Sequence, residues 1–484
     1  MYLGIDLGTS AVKVCVLDLD GRVAATASAP LAVAHPFEGA SEQDCRWWWA
    51  ATREALESID PVVRAGVRAI GLSGQMHGAV LLDEDHLPVR PVMLWNDARA
   101  APECDDMLTA EPRAGEIAGA LPMAGFAAPK LLWLSRHEPR NHARIASVLL
   151  PKDYLGFRLH GRFVTDPSDA AGTSWFDERH RRWSESLCAA SATEVGWLPE
   201  VRDGTAVAGT LLPGPAAQLG LPAGVPVSVG GGDAAAGAVG IGAVSGGDGF
   251  ISLGTSGQLF VTTTDYRPNL ASRIHAYAHT LPDHWFQMAA MLNGARPIAW
   301  LADLLRRPIP ELLAEAEAAP PGPLFLPYLT GERTPHGDTC IRAGFAGLGE
   351  TTSQGSLMRS VVEAVAFSFA DAIDAFSAAG SAPDALLAIG GGTRSDFLLQ
   401  TISDVTGCRI GRTRGADIGP ALGAARMARV AVGDGTRADV MTKPAVERWF
   451  EPCADTMQAE RPRLEAYRAL YPALKSVQAA MRVH

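Results

Sequence analysis

A carboxylate inside an apolar strand near the N-terminus is the first feature of the chain that could do chemistry. Asp6 lies in an apolar run at residues 2–7, and Gly8-Thr9-Ser10 joins this run to a second β-rich run at residues 11–17. The two runs predict a hairpin whose tight connection needs glycine. An ionised carboxylate in such a strand is costly unless it is paired or faces a cation.

Two interpretations of Asp6 follow. In the first, neighbouring backbone N–H groups satisfy the carboxylate. In the second, Asp6 holds Mg²⁺ through water, while the backbone N–H groups of residues 8–10 face phosphate oxygens. The residues around Asp6 leave both interpretations open.

A second turn of the same composition follows half a chain later. Residues 250–260 contain an apolar run, the turn Gly254-Thr255-Ser256 and a return run. This separation favours duplicated domain architecture over a short-period repeat array. Two such hairpins facing each other across a cleft would make a nucleotide site between two lobes.

A third candidate is Asp233, which follows an apolar strand at residues 226–229 and three glycines, and precedes the small residues 234–238. In one interpretation Asp233 caps the next helix and the glycines permit close helix packing. In the other, its carboxylate is exposed at a strand-to-helix turn where the backbone can approach a substrate. A dinucleotide-binding loop is not supported, because residues 240–245 lack the third glycine at the required spacing.

Polar clusters follow three further predicted strands. Gly74-Gln75-Met76-His77-Gly78 ends a strand at residues 69–73, where α/β proteins place ligand contacts. Asn96-Asp97-Ala98-Arg99 ends an apolar run and fits either a helix cap or the wall of a polyol pocket. The run from Gly390 to Ser395 follows a strand at residues 386–389. Its glycines would let a flat ligand such as adenine lie against the backbone, and Ser395 can cap the next helix.

The surrounding patterns predict the elements that position these residues. Residues 22–27 can supply a third strand of the first hairpin, and Ser41 resembles the cap of a helix that carries three adjacent tryptophans. A long amphipathic helix begins near Ser356. The small-residue run that starts at Asp417 opens another helix, and the last fifty residues predict a helix that packs back on a lobe.

Length and composition indicate a globular protein of two large domains. The 484 residues exceed a single typical core, and Ser245 to Gly249 is the best boundary, which predicts domains at residues 1–245 and 246–484. The net charge is −11 with no basic block, which argues against nucleic acid or an anionic membrane as the main partner.

Cysteine usage indicates a reducing compartment. The seven cysteines are scattered and contain no CxxC pair, so a zinc site or a disulfide framework is not expected. The N-terminus does not read as a signal peptide, and no run of about 18 apolar residues suggests a membrane span. We therefore expect a cytoplasmic protein.

Taken together, the motifs resemble the FGGY family of carbohydrate kinases along essentially the whole chain. The combination is specific although each motif alone is not. The motifs appear in this order: Gly4-Ile-Asp-Leu-Gly-Thr-Ser10, Gly74-Gln-Met-His-Gly78, Leu94-Trp-Asn-Asp97, Ala128-Pro-Lys-Leu-Leu-Trp133, Gly231-Gly-Asp233, Ser252-Leu-Gly-Thr-Ser256, Gly331-Glu-Arg-Thr-Pro335 and Gly390-Gly-Gly392.

The resemblance implies an α/β fold of two ribonuclease H-like lobes of the actin and hexokinase type. Each lobe would have a mixed five-stranded sheet flanked by helices, with ATP and a sugar in the cleft between them. The implied reaction is ATP-dependent phosphorylation of D-xylulose to D-xylulose 5-phosphate, with ATP and Mg²⁺ required. A homodimer is a further expectation from the family.

The resemblance also implies roles for individual residues. Asp233 would be the general base for the C5 hydroxyl, and Asp6 would organise Mg²⁺. Contacts to the sugar are expected from Met76, His77, Gln75, Asn96, Asp97 and Asp233. Contacts to ATP are expected from Gly8, Thr9, Ser10, Lys13, Gly254, Thr255, Gly391, Gly392 and Ser395.

Two departures from the family pattern are visible, Ala127 and Ser356, and neither touches the expected chemistry. Two alternatives stay open. The first is an FGGY kinase for another ketose or polyol, such as ribulose, glycerol or gluconate. The second is a non-catalytic, actin-like ATP-binding module, which would explain both Gly-Thr-Ser hairpins but gives no reason for Asp233 or the Gln-Met-His loop.

Overall fold

The protein has two lobes, each built on a mixed β-sheet with helices packed on its faces. The computed structural model describes residues 1–413 and 419–481. In the N-terminal part the strands are β1 (Tyr2–Leu7), β2 (Ala11–Leu17), β3 (Val23–Pro30), β4 (Glu42–Gln43), β5 (Ala69–Gly74), β6 (Val80–Leu82), β7 (Val92–Met93), β8 (Ser147–Leu149), β9 (Val164–Thr165), β10 (Phe176–Asp177), β11 (Arg182–Trp183), β12 (Glu200–Val201), β13 (Val207–Thr210), β14 (Pro226–Ser228) and β15 (Gly231–Gly232). The helices of this part are α1 (Cys45–Glu57), α2 (Pro61–Ala65), α3 (Ala101–Ala110), α4 (Ala114–Ala118), α5 (Ala127–His137), α6 (Pro139–His142), α7 (Pro151–His160), α8 (Pro167–Ala171), α9 (Glu185–Ala190), α10 (Pro213–Leu219) and α11 (Asp233–Ile241).

The C-terminal part repeats this plan with longer helices. Its strands are β16 (Gly249–Leu253), β17 (Gly257–Thr263), β18 (His275–Ala278), β19 (Trp285–Met291), β20 (Leu324–Leu326), β21 (Gly344–Ala346), β22 (Ala385–Ile389), β23 (Arg409–Thr413) and β24 (Val446–Phe450). Its helices are α12 (Arg296–Leu305), α13 (Ile309–Ala318), α14 (Gln354–Ala378), α15 (Asp396–Thr406), α16 (Gly419–Ala431), α17 (Arg437–Val440) and α18 (Ala454–Met481).

The two predicted hairpins occupy equivalent places at the centres of the two sheets. The first sheet has the order β13-β14-β5-β1-β2-β3, with β15 also paired to β5, and the second has the order β18-β19-β17-β16-β22-β23-β24. In both, the first hairpin strand pairs antiparallel with its partner and parallel with a later strand, β5 or β22. The internal duplication predicted from the two Gly-Thr-Ser turns is confirmed.

The sheets are wider than the predicted five strands. Within the described residues each contains seven, because short antiparallel strands extend the edges: β13 beside β14, and β18 and β24 at the two edges of the second sheet. In the first sheet, β14 and β15 both pair with β5 and so share one position. Strands β13 and β24 show little alternation between buried and exposed residues, so the sequence pattern does not identify them as strands.

The helix predicted to begin at Ser41 begins later, with Asp44 as its cap. Residues 42 and 43 instead form β4, which pairs with β7. Of the three adjacent tryptophans on α1, Trp48 is fully buried against the first sheet and Trp47 is exposed. The predicted helix near Ser356 is α14, capped by Ser353. The last fifty residues contain α17 and β24 as well as the long α18.

Helix α16 comes from the C-terminal part of the chain but packs on the sheet of the N-terminal lobe. Glycines in β1 and β5 permit this approach, because a Cβ at Gly4 would lie 1.9 Å from the carbonyl oxygen of Ala421, and one at Gly71 would lie 1.9 Å from that of Ala424. The predicted helix is confirmed from Gly419 onward, and Asp417 lies outside the described residues. The predicted domain boundary at residue 245 stays a prediction.

The core is divided between the lobes. One large cluster lies between the first sheet and α1, α7 and α10, and another lies between the second sheet and helices α12 to α15 and α18. A third cluster joins residues from both parts, including Phe126, Tyr277 and Phe286. Within the described residues no helix has the length and apolarity needed to cross a membrane.

Candidate active site

Asp6 is the penultimate residue of β1, and one of its carboxylate oxygens has no hydrogen-bond partner among the described residues. Its neighbours in the sheet are Lys13 on β2 and Ser73 on β5. The residue is 6% exposed, and its Oδ1 is buried with no hydrogen bond to any described residue. Burial raises the pKa of Asp6 to about 6, although the positive charge of Lys13 opposes this shift. An orphaned carboxylate oxygen of this kind fits a hydrated cation better than it fits a purely structural role.

The first Gly-Thr-Ser turn is held by side chains from three other segments. Thr9 donates its hydroxyl to Oε1 of Gln75 at 2.9 Å and accepts from the indole N–H of Trp95 at 2.9 Å. Gln43 donates to the carbonyl of Thr9 at 2.7 Å and accepts from the side chain of Gln75 at 3.0 Å. Gln75, predicted as a sugar contact, therefore uses its amide to position the hairpin. The sequence motifs did not predict that Gln43 and Trp95 hold this turn, because both residues lie far from it in the chain.

One expected phosphate donor is already used inside the turn. The N–H of Gly8 donates to the carbonyl of Ala11 at 3.1 Å, so it closes the hairpin and cannot face a ligand in this geometry. Thr9 is half-buried, whereas Ser10 and Lys13 are exposed at the surface of the hairpin. The expectation that all three N–H groups of the turn face phosphate is therefore corrected to the groups of Thr9 and Ser10.

Asp233 is the first residue of α11, and Gly232 occupies the cap position. The structure thus favours the second interpretation of this aspartate, a carboxylate at a strand-to-helix turn, over a helix cap. Asp233 lines a cavity of about 380 Å³ together with Ser252 and Gln258, which come from the second hairpin. Burial and, to a smaller extent, the negative charge of Asp6 together raise the pKa of Asp233 to about 7.

A buried charged cluster supports the backbone beneath Asp233. The N–H of Gly232 donates to Oγ of Ser168 at 3.0 Å, and Ser168 donates in turn to Asp166 at 2.5 Å. Asp166 lies 3.1 Å from the ammonium of Lys152. That ammonium also lies 2.5 Å from Asp153 and 3.5 Å from Asp169, and all four charged side chains are fully buried or nearly so. The convergence of these three acids on one lysine is not visible from their spacing in the sequence.

Three of the six residues predicted to contact the sugar, His77, Asn96 and Asp97, line a second cavity of about 430 Å³ between the two lobes. Gln75, Met76 and Asp233 are not among its lining residues. Its walls include His77, Asn96 and Asp97 from the N-terminal lobe, and His275 and Arg333 from the C-terminal lobe. The site is therefore incomplete without either lobe. Met76 lies beside this cavity and next to Asp233, since a Cβ at Gly232 would be 3.0 Å from the Met76 sulfur.

His77 is held in a left-handed backbone conformation, with φ at 73°. Its ring stacks on Phe126 with 4.6 Å between ring centroids, and Nδ1 lies 2.5 Å from the carbonyl oxygen of Gly172. Burial lowers the pKa of His77 to about 3. The imidazole is therefore neutral at pH 7, and its Nδ1–H donates to the carbonyl oxygen of Gly172. This leaves Nε2 as an acceptor for a ligand hydroxyl.

Lys130 fixes the loop that carries His77. Its buried ammonium donates to the carbonyl oxygens of His77 at 3.0 Å, Met93 at 3.1 Å and Gly125 at 2.6 Å. These three carbonyls belong to three separate segments around the cavity. Lys130 lies in a quoted family motif, but its type and spacing alone did not predict this role.

Asp97 is predicted to contact the sugar, but it is already engaged by the protein. Its carboxylate accepts from the N–H of Ser41 at 2.8 Å and from the guanidinium of Arg99 at 2.7 and 2.8 Å. Burial alone would raise the pKa of Asp97, yet these hydrogen bonds lower it below its ordinary value. The neighbouring Asn96 is exposed on the cavity wall, so it is the better placed of the two for a ligand.

Five of the nine residues predicted to hold ATP meet in a third and larger cavity of about 880 Å³ in the C-terminal lobe, whereas the other four lie on the first hairpin. Gly254, Thr255, Gly391, Gly392 and Ser395 all line it. Its opposite wall is apolar and comes from helices α12, α13 and α15. The wall residues include Ile298, Ala299, Ile309, Pro310, Leu313 and Phe397.

Ser395 lines this cavity and also caps α15, with its hydroxyl accepting from the N–H of Leu398 at 3.1 Å. The cap predicted for Ser395 is confirmed. A large apolar cavity bordered by glycines and the N-terminus of an 11-residue helix suits a planar base with an attached polyphosphate.

Comparison with known proteins decides the family. The model of the FGGY carbohydrate kinase N-terminal domain matches residues 1–240, and that of the C-terminal domain matches residues 249–432. The chain belongs to the FGGY family of carbohydrate kinases. Among FGGY kinases, the xylulose kinase of Escherichia coli strain K12 is 41% identical over 480 residues, which cover 98% of this chain and 99% of that protein. The xylulose kinase of Bacillus subtilis strain 168 is 33% identical over 492 residues, covering 99% and 98%.

Solved structures of FGGY kinases share this architecture. The crystal structure of a xyloylose kinase from Brucella ovis has a TM-score of 0.94 at 40% identity, covering 98% of this chain and 99% of that one. A gluconate kinase from Lactobacillus acidophilus has a TM-score of 0.92 at 24% identity, covering 99% of both chains. At 24% identity, the similarity to the gluconate kinase supports the shared fold and says nothing about substrate.

Proposed function

We propose that this FGGY kinase transfers the γ-phosphoryl group of ATP to the C5 hydroxyl of D-xylulose, giving D-xylulose 5-phosphate and ADP. The observation that carries the proposal is the placement of Asp233 at the cleft, beside the sugar-sized cavity and facing strands of the second hairpin. The similarity to xylulose kinases over nearly the whole chain supports D-xylulose as the acceptor.

Asp233 acts as the general base. Its carboxylate accepts the proton of the C5 hydroxyl as the oxygen attacks the γ-phosphorus and the bond to the β-phosphate oxygen breaks. With a pKa of about 7, Asp233 is a stronger base than an ordinary aspartate while still being substantially ionised at neutral pH. The rest of the catalysis comes from positioning and charge neutralisation.

The residues around the first hairpin fit a magnesium ion. Asp6, with its buried and unpartnered Oδ1, would hold Mg²⁺ through water, and the ion would neutralise charge on the phosphates of ATP. Thr9 and Ser10 offer backbone N–H groups on the same turn, and Lys13 adds a positive charge beside Asp6. Gln43, Gln75 and Trp95 keep the turn in place.

The two lobes divide the remaining work. The C-terminal cavity lined by Gly254, Thr255, Gly391, Gly392 and Ser395 holds ATP, and the inter-lobe cavity holds the sugar against Met76, His77 and Asn96. Closure of the lobes excludes water, which would otherwise compete with the sugar as acceptor. We also propose a cytoplasmic location and a homodimer, which remain expectations from the cysteine usage and from the family.

The test is coupled ADP release with Mg²⁺-ATP and a panel of D-xylulose, D-ribulose, L-ribulose, glycerol and gluconate. Asp233→Asn is assayed beside the wild type, with Asp20→Asn as the matched control because Asp20 is exposed in a surface turn. We expect strong dependence on D-xylulose that is lost in Asp233→Asn and kept in Asp20→Asn.

The other outcomes each correct a different part of the proposal. Activity on another member of the panel alone would keep the mechanism and replace the substrate. ADP release that no sugar stimulates would place the protein among non-catalytic ATP-binding modules. Full activity of Asp233→Asn would remove Asp233 from the mechanism.

A further inference from the structure

Arg333 presents an unused guanidinium to the inter-lobe cavity. It lies on a loop of the C-terminal lobe, and its Cζ is 5.7 Å from the ring centroid of Trp95 on the opposite lobe. The adjacent acid, Glu332, does not pair with it. Glu332 instead accepts from the N–H of Leu292 at 2.6 Å and from the side chain of Asn293 at 3.2 Å. Within the described residues the guanidinium of Arg333 has no hydrogen bond or ion pair.

His275 on the same wall is also without a partner. Its ring is buried, packs edge-on against Phe126 at 6.1 Å and makes no hydrogen bond to any described residue. Buried polar side chains in folded proteins are almost always satisfied, so an exception at a cavity wall indicates where a ligand supplies the missing groups. Arg333 offers donors only, so the ligand at this wall must supply acceptors.

We infer that Arg333 and His275 form the part of the sugar site that the C-terminal lobe supplies, and that Arg333 determines specificity by donating to the ketone oxygen of an open-chain ketose. This inference rests on the proposed function. Trp95 already stabilises the guanidinium through its ring face, so the ligand needs to bring hydrogen-bond acceptors but no full negative charge. A neutral ketose meets that requirement.

The order of groups along the cleft identifies which end of the sugar meets Arg333. Met76 lies beside Gly232 and Asp233, and the next residue, His77, lines the inter-lobe cavity with Arg333. The C5 hydroxyl must lie at Asp233 for phosphoryl transfer. The C1 and C2 end of an extended five-carbon chain then lies in the cavity. There a ketose presents a carbonyl oxygen that only accepts hydrogen bonds, where a polyol has a hydroxyl group that both donates and accepts.

The experiment compares binding of D-xylulose and xylitol, which differ at C2 by a carbonyl and a hydroxyl group. Dissociation constants are measured by calorimetry without ATP for the wild type, Arg333→Met and Arg333→Lys. Arg22→Met is the matched control, because the Arg22 side chain is 82% exposed on a distant turn. A charge-assisted hydrogen bond is worth about 1.5–3 kcal/mol, which corresponds to a 10- to 150-fold change in affinity.

We expect Arg333→Met to weaken D-xylulose binding at least tenfold and xylitol binding less than threefold, with ATP affinity unchanged. Arg333→Lys keeps the charge but loses the planar donor pair. Its affinity for D-xylulose should therefore lie between that of Arg333→Met and that of the wild type. Equal losses for the two ligands, or no loss for D-xylulose, would overturn the assignment. If Arg333→Met does not fold, Arg333→Lys decides the question by the same comparison, the loss of affinity for D-xylulose relative to that for xylitol. Failure of the proposed function itself would appear separately, as a wild type that does not phosphorylate D-xylulose.

Discussion

At the scale of single residues, the site depends on groups whose charge states differ from their ordinary values. Burial raises the pKa of Asp233 to about 7 and lowers that of His77 to about 3. In water the order would be reversed, because an aspartate loses its proton at a lower pH than a histidine does. The protein thus separates a base that ionises near neutrality from a histidine that stays neutral at any physiological pH.

The first prediction concerns the pH dependence of turnover. Because only ionised Asp233 accepts a proton, kcat/KM should fall about tenfold per pH unit below a midpoint near pH 7. A histidine with an ordinary pKa would give a similar fall on the acid side of the pH–rate profile (the acid limb). The control is therefore His77→Gln. That variant should lose activity but keep the acid limb in place. Disappearance of the limb in His77→Gln would assign it to the histidine instead.

The second prediction concerns the stability cost of the same carboxylate. The folded state holds the Asp233 proton more tightly than the unfolded state, whose pKa is near 3.8, so Asp233 destabilises the fold as the pH rises from about 4 through about 7. Asp233→Asn removes this cost. In the absence of metal and nucleotide, its gain in unfolding free energy should be about 2–3 kcal/mol larger at pH 8 than at pH 5. Denaturation by urea at the two pH values measures it, and an equal gain at both would contradict the assigned pKa.

At the scale of secondary structure elements, close packing of α16 on the first sheet constrains the sequence of β1 and β5. The approach of Ala424 to Gly71 leaves no room for a Cβ, and the obstructing atom is a backbone oxygen that cannot rotate away. The helix would have to shift as a unit, and with it the wall of the Asp233 cavity, which includes Gly419, Pro420 and Leu422.

The third prediction follows from this contact. Gly71→Ala should destabilise the protein by about 3 kcal/mol and lower the melting temperature by several degrees. Gly196→Ala is the matched control, because an added Cβ there would meet no atom within 4 Å and the backbone φ is not positive. Calorimetric melting of both variants checks the difference, and equal melting temperatures would mean that α16 does not sit this close to β5.

The sequence predicted local features well because they depend on local spacing. Both Gly-Thr-Ser hairpins, the strand before Asp233 and the long helix α14 follow directly from composition and periodicity. The cap of α1 is Asp44 and not the predicted Ser41. The residues after Ser41 have the composition of a helix start, but they form β4 because they pair with the distant β7.

Contacts between distant segments were the part of the site that the sequence did not predict. Lys130 gathers carbonyls from residues 77, 93 and 125, and Lys152 gathers three acids from two helices and the connection between them. A lysine in an amphipathic or apolar run reads as a surface residue until the tertiary structure shows what surrounds it. Gln75 and Asp97 make hydrogen bonds within the protein that the sequence also did not predict, and their assignment to the sugar stays a prediction.

At the scale of the whole molecule, two related sheets face a cleft that neither lobe completes alone. The sugar cavity takes His77 from one lobe and Arg333 from the other. The Asp233 cavity combines helix α11 of the N-terminal part with α16 and strands of the second sheet. A ligand that contacts both walls favours the closed arrangement by its differential affinity for it. Sugar binding and protection of the phosphoryl group from water are therefore coupled.

The fourth prediction tests this coupling. Hydrolysis of Mg²⁺-ATP should be slow without sugar, because the catalytic groups are aligned only when the lobes close. It should rise with 5-deoxy-D-xylulose, because the analogue closes the lobes but lacks the accepting hydroxyl and so leaves room for one water molecule to act as the acceptor. Small-angle scattering with the same analogue should show a smaller radius of gyration. Equal hydrolysis with and without the analogue would show that closure does not control access of ATP to the reaction.

The crossing of α16 onto the N-terminal sheet also sets an order of events during synthesis. Strands β1 and β5 leave the ribosome early, but the helix that covers one face of them ends at Ala431 and emerges only when most of the chain has been made. Until then the glycine-bearing face of the first sheet is open to solvent and to other nascent chains. Translation that stops between the two family domains would therefore leave an N-terminal lobe with an uncovered sheet, a natural target for chaperones and proteases.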